Sequence, residues 1–459
     1  MLTHYLNKTT KAAPLAVFRI LFGGLMLFSI IRFWSKEWID ELYIQPKFYF
    51  SYYGFEFIKP LGEWTYLLFV VCGISAFLVA IGFKYRLSII LFFLSFTYIE
   101  LIDKTTYLNH YYFVSCLSFL MIFLPANVYF SIDAISNKKL QVSKVSRWCV
   151  DSLKFLLTIV YFYAGLAKLN SDWLLHAQPL SLWLRVKTDF PLLGNFFHYH
   201  WVHYLFSWFG MLYDISIVFF LLNKKTRPLA YFVVIVFHVL TRMLFPIGVF
   251  PYVMIGCTLI FFEAKFHEKI IAFFRVIVYK FKSNKQPHSS FIYAEDKSLK
   301  NNKVGSKIVP TVVAVFFAIQ LLLPWRYLAY PGELFWTEEG YRFSWRVMLI
   351  EKVGAATFSI VNPQTRKRFE IRNNDFLTTN QIKQMSTQPD FILQYAHKLR
   401  DHYVNEGIEN PEVYVDCFVT LNGRLSERFI DPTINLSNEK ESFEHKKWII
   451  PFHGTIKGI

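Results

Sequence analysis

Lys168 stands near the end of an apolar run, in Val160-Tyr-Phe-Tyr-Ala-Gly-Leu-Ala-Lys168-Leu-Asn-Ser-Asp172-Trp173. The run begins near Trp148 and is long enough to enter a bilayer. A lysine at the centre of such a helix costs ~2.5–3.5 kcal/mol, and less near an interface. Two structural readings account for it: the side chain snorkels to the headgroups, or it pairs with Asp172 at i,i+4 spacing. The chemical reading starts from Ala164 and Gly165, which lie one turn back on the same face and leave space beside the ammonium. A lysine lining a space inside a bundle can lose its proton and act as a base.

Two histidines offer related chemistry. His110 ends the loop Asp103-Lys-Thr-Thr-Tyr-Leu-Asn109-His110, and His238 follows Phe237 in another apolar run. A lone membrane histidine commonly makes an interhelical hydrogen bond. Several polar groups at one depth point instead to a site. Asp103 has two candidate partners, the histidine and Lys104. Whether these groups meet depends on the elements that carry them.

Of 459 residues, 54% are hydrophobic and 19% aromatic, with 50 Phe and only 18% charged, and the mean hydropathy is +0.31. That composition describes a polytopic α-helical membrane bundle followed by a more polar domain. The first apolar run, Pro14 to Phe33, has no small-residue cleavage site after it and reads as a retained span. Eight further runs fall at about 64–83, 87–102, 107–130, 149–169, 201–222, 228–245, 247–263 and 308–329. Basic residues gather in alternate connections: Lys8 and Lys11, then Lys84 and Arg86, then Lys138, Lys139, Lys144 and Arg147, then Lys224, Lys225 and Arg227, then the connection 264–307. The positive-inside rule gives about nine spans, with the amino terminus cytoplasmic and the carboxyl-terminal domain extracytoplasmic. From Pro331 onward 17 acidic and 16 basic residues leave a net of −1, so the chain's +16 lies wholly in the membrane part and its loops. Topology explains that excess without a nucleic-acid partner. The segment 270–282 has the pattern of a basic amphipathic helix lying on the inner leaflet, and 282–303 reads as a polar linker.

The division expected is a helical bundle over 1–329 and a small α+β, β-rich domain over 330–459. In the latter, Glu412–Leu421 has strand composition and meets Asn422-Gly423, a type I′ hairpin signal, before the chain resumes over 424–430. Phe391, Ile392, Tyr395 and Leu399 recur at helical spacing, so one helix packs on a small sheet. At this size the domain can hold its own core. Cys72, Cys116, Cys149 and Cys257 sit in apolar runs as small filler and Cys417 stands alone, with no disulfide framework and no metal-binding spacing.

The topology makes a second inference possible. The fifth and seventh spans run outward and the fourth runs inward from its loop, so Lys168, His110 and His238 all reach the outer end, beneath the carboxyl-terminal domain.

In this arrangement the motifs resemble the vitamin K-dependent gamma-glutamyl carboxylase family. The matching residues are Asp103-Lys-Thr-x-x-x-Asn-His110, Ala164-Gly-x-x-Lys168-Leu-x-x-Asp-Trp173, Phe237-His238 and Leu244-Phe-x-Ile-Gly-x-Phe-x-Tyr-Val-Met254. They continue in order through Gly340-Tyr-x-Phe-Ser-Trp345, Gln394-Tyr-Ala396, Pro411-Glu-Val-Tyr-x-Asp416 and Phe429-Ile-Asp-Pro432, and cover about 15–435. The resemblance implies that Lys168 deprotonates a vitamin K hydroquinone, reduced menaquinone or phylloquinone. Dioxygen then adds, giving a strongly basic intermediate and finally the epoxide. That base removes a gamma proton from a peptidyl glutamate, and carbon dioxide adds to the carbanion. His110 is implied in the carboxylation half, and Asn109, His238, Tyr163 and Met254 in holding the cofactor, with no metal. The partners implied are a glutamate-containing protein or peptide and the lipid bilayer. The animal enzymes carry a lysine pair where Ala167-Lys168 stands, and the chain stops at Ile459, so quinone chemistry is expected ahead of peptide carboxylation. The rival reading is an intramembrane quinone- or lipid-binding protein without carboxylation, or an epoxidase alone. A transporter is disfavoured because no paired charged spans or inverted repeat is visible.

Overall fold

The computed structural model describes residues 2–281 and 308–458, so the expected linker 282–303 lies outside the described residues. Among the described residues, seven helices are long and apolar enough to cross a membrane: Ala13–Ser35, Trp64–Ile81, Tyr85–Ile102, Arg147–Leu166, His200–Leu222, Arg227–Leu244 and, with its 3₁₀ extension, Ile308–Ala329. The remaining two expected spans fall on shorter apolar helices, Asn109–Phe123 and Phe250–Phe261. Expected at 107–130 and 247–263, they are truncated for a physical reason. Pro125 limits the first at its far end, and at their near ends the segments 107–108 and 245–249 leave helical form to line a cavity. Irregular backbone in a membrane bundle is tolerated where it faces a cavity rather than lipid.

The basic connections gather at one end of the bundle. Strand Thr9–Lys11, before the first span, pairs antiparallel with Lys144–Ser146 from the connection after the fourth. The Asp133 carboxylate accepts from the Lys84 and Tyr85 amides, Lys224 pairs with Glu263 at 3.0 Å, and Lys11 with Glu268 at 2.8 Å. Helix Ala264–Phe281 covers the expected amphipathic segment. It buries Ile271 against Ala13, Ala16 and Val17 of the first span and leaves Phe273 and Val276 exposed.

At the opposite end stands the α+β part. Its four-stranded sheet has the order Arg368–Glu370, Lys352–Val361, Glu412–Leu421, Glu427–Arg428, and the two long strands pair antiparallel from Lys352↔Leu421 to Val361↔Glu412. Helix Pro389–Asn405 lays the expected Phe391, Ile392, Tyr395 and Leu399 on this sheet. Asn422 (φ 50°) and Gly423 (φ 79°) form the turn, but pairing resumes only at Glu427, and the Asn422 side chain ties the turn to its surroundings. It accepts from the Glu351 amide and donates to Asp172. The core is not closed within this part. One buried cluster joins Phe358, Tyr395, Val413 and Trp336 to Ala167, Trp173, Leu180, Met211 and Phe245 at the ends of the spans.

Polar contacts complete the junction and decide the Asp103 question. Asp103 pairs with neither histidine nor Lys104; its carboxylate accepts from the Thr105 amide and hydroxyl and from Gln381 Nε2 at 2.9 Å. Lys104 instead meets Asp390 at 2.7 Å, and Arg342 reaches the same carboxylate at 2.7 Å. Burial pushes the Asp390 carboxyl up, but Arg342 and Lys104 outweigh it and hold it well below the usual carboxylate range. A carboxyl lowered by folding stabilises the fold above its unfolded value, so this contribution is present at neutral pH and is lost as pH falls through the lowered value.

Candidate active site

Beneath this junction lies a cavity of about 640 Å³. Its walls include Phe33, Val160, Phe206, Phe237, Phe250 and Met254, with polar groups from Arg32, Asn109, His110, Lys168, Asp214 and His238. Val347, Met348, Asn380 and Gln384 of the carboxyl-terminal part also line it. Five of the six expected site residues, Lys168, His110, Asn109, His238 and Met254, thus border one space.

Lys168 is buried, and its ammonium donates to Asp214 Oδ2 at 2.8 Å and to the Ala164 carbonyl at 3.1 Å, over the Trp173 ring at 5.2 Å. It neither snorkels nor pairs with Asp172. The fifth-span helix ends at Leu166, so i,i+4 spacing does not carry through Lys168, and Asp172 sits in the next short helix, Ser171–His176. There Asp172 binds Arg424 at 2.5 and 2.7 Å and Asn422 at 2.9 Å, tying the end of the span to the sheet.

Asp214 comes from the middle of the sixth span, and Gly165 is what brings it there. A Cβ at Gly165 would lie 2.6 Å from Ile215 Cγ1 and 2.7 Å from the Ile215 amide nitrogen. Of the space expected beside the ammonium, the part at Gly165 is therefore filled by the sixth span, while Ala164 borders the cavity together with Lys168. Gly165→Val is expected to force the two spans apart, at the ~1–3 kcal/mol typical of overpacking. The check is a lower melting temperature in detergent, reached without loss of expression.

His238 is buried, with Nε2 3.0 Å from the Tyr161 hydroxyl, which in turn lies 3.5 Å from Thr258 Oγ1. The His110 ring packs against Phe250 at 5.5 Å and Tyr111 at 4.6 Å. Asn109 spends its amide on loop order: Nδ2 donates to the Arg346 carbonyl at 2.8 Å and Oδ1 accepts from Tyr107 at 3.0 Å. Tyr163, expected at the cofactor, lies outside the cavity. It is two residues from Tyr161 on the helix, so it faces the ninth span, donating to the Leu321 carbonyl at 2.7 Å and accepting from Trp325 at 2.9 Å.

Sequence reading missed Asp214 and Arg32. Both carried a signal, an ionisable residue inside an apolar run, which marks a functional position by default. Hydropathy alone absorbs one such residue per span without notice.

Residues 7–266 match the family model of the HTTM domain, and residues 305–455 match that of the vitamin K-dependent gamma-carboxylase, lumenal domain. No solved structure matches the chain with significance. The two matched regions follow one another as membrane bundle and sheet domain do in the fold. The chain is a multi-pass membrane protein and belongs to the vitamin K-dependent gamma-carboxylase family.

Proposed function

We propose that this protein is a hydroquinone-dependent epoxidase and gamma-glutamyl carboxylase, acting on a glutamate-bearing peptide delivered from the carboxyl-terminal side. The observation that carries the reading is the buried Lys168–Asp214 pair on the wall of a largely apolar cavity that His110 and His238 also border. The cavity's volume is within the ~300–1,000 Å³ of small-molecule sites. Its aromatic and aliphatic walls suit the fused ring and tail of reduced menaquinone or phylloquinone, so the residues present fit the cofactor. When bound, the hydroquinone supplies, on reaction with dioxygen, a base strong enough to take a glutamate gamma proton for carbon dioxide to replace.

The chain's own residues do the rest. Lys168 accepts a proton from a hydroquinone hydroxyl, and the ammonium so formed meets a carboxylate at 2.8 Å, so its charge arises already paired. The Ala164 carbonyl and the Trp173 face fix where the amine points. His110 acts in the carboxylation half. The hydrophobic walls keep water from a base it would quench.

Purified protein given reduced vitamin K and a glutamate peptide is expected to yield epoxide and a peptide heavier by one carboxyl group. Epoxide without modified peptide would restrict the activity to the epoxidase, and neither product would leave a binding protein. The basic end of the bundle is assigned to the cytoplasm. The five native cysteines are buried, so background labelling is low. Lys139→Cys should resist an impermeant thiol reagent in intact cells and Leu425→Cys should react; the reverse pattern sinks this orientation.

A further inference from the structure

Arg32 ends the first span on the cavity side, opposite the basic connections, where the positive-inside pattern gives it no purpose. Arg19, on the same helix, shows what a structural arginine looks like here. It is fully buried, and all three of its nitrogens are engaged, donating to the carbonyls of Val79, Ala80, Ala126 and Phe130 at 2.9, 2.5, 3.0 and 2.6 Å. The Arg32 guanidinium instead rests on the Trp38 ring at 4.6 Å, with no ion pair and no hydrogen bond among the described residues. Of the other charges on the cavity, Lys168 and Asp214 satisfy each other, and Glu41 is exposed at the rim without pairing to Arg32. Arg32 is half-buried, and a guanidinium on a largely apolar wall with no counter-charge is one that an entering anion would stabilise.

Gly248 locates where that anion would sit. Its φ of 61° suits glycine, and a methyl group built there would stand 3.9 Å from Arg32 Nη1 and 3.8 Å from His110 Nε2. The bare backbone thus opens a spot that the guanidinium and the imidazole both border. We propose that Arg32 is the receptor for the side-chain carboxylate of the glutamate substrate, held over Gly248 beside His110. The inference rests on the carboxylase reading above and names the group that would recognise its substrate.

The chemistry gives this placement a second use. Loss of the gamma proton to the site's base leaves the C–H electron pair shared with the neighbouring carboxylate as an enediolate. The added negative charge falls on the two oxygens that a guanidinium grips in bidentate fashion. Carbon dioxide then takes that electron pair in a new C–C bond, and the original carboxylate returns to its single charge. An arginine serves this better than a lysine, since it cannot give up its own proton to the carbanion.

The test is direct binding of a short glutamate peptide and its glutamine counterpart to the detergent-solubilised protein without quinone, for the wild type, Arg32→Gln and Arg32→Lys. The wild type should prefer the glutamate peptide. Arg32→Gln should weaken glutamate binding by about ten- to a hundredfold and erase the preference, as expected for one charge-assisted pair, while Arg32→Lys keeps part of it. In turnover, the peptide KM of Arg32→Gln should rise far more than the quinone KM. A glutamine variant that still prefers the glutamate peptide, with wild-type affinity, overturns the proposal. A wild type with no preference overturns it too, and epoxide formation by that same protein then shows whether the quinone half of the wider reading survives.

Discussion

Lys168→Arg is expected to be inactive in quinone epoxidation and carboxylation together, by at least the ~10²–10⁴-fold that a general base contributes, in a protein that folds normally. Arginine retains the positive charge, and its guanidinium can still meet Asp214, which Lys168 reaches at 2.8 Å. What it cannot do is shed a proton near neutral pH. A lysine present only to neutralise Asp214 would therefore be replaceable. Lys168→Ala should lose both activities as well, but with an opening beside Trp173 and Ala164 through which a small added amine can restore part of the epoxide. His110→Ala should behave differently, leaving more epoxide than carboxylated peptide, since it acts after oxygenation. Epoxide yield and peptide mass, measured on the same reaction, separate the three variants. Robust epoxidation by the arginine protein would remove the base from Lys168.

Much of this arrangement was legible in the sequence because a membrane imposes few solutions. Apolar runs of span length and basic residues in alternate connections identified the elements and their directions. From those directions alone Lys168, His110 and His238 had to approach one end, and they border one cavity. The errors arose where regular geometry was assumed to continue. Pairing Lys168 with Asp172 presumed a helix that stops at Leu166. The space assigned to Gly165 presumed that a missing side chain faces a void, whereas it admits a neighbouring helix. Tyr163 shares a motif with Lys168 but not a face, and only the packing of the ninth span reveals it. The separate outer core was a size argument, and size cannot show that Trp336 and Phe358 pack in one cluster with Trp173 and Phe245. Asp103 found a glutamine 278 positions away, a partner no local spacing announces.

Substitution of Asp214 separates a structural pair from a working one. Asp214→Asn leaves the Lys168 charge buried without a counter-charge, which is expected to destabilise the bundle by ~3–5 kcal/mol. Activity should fall as well, but from that variant alone the loss could be misfolding. The double variant Lys168→Met, Asp214→Leu removes both charges and fills the same volume with apolar atoms. Replacing a buried ion pair in this way is commonly neutral or stabilising, so its thermal melt should return to the wild-type value or above. Its epoxidation should stay absent, because the group that accepts the hydroquinone proton is gone while the cavity remains. Melting temperature and epoxide yield therefore move apart in the double variant and together in Asp214→Asn. A double variant that melts like the wild type and still forms epoxide would assign the pair to structure alone.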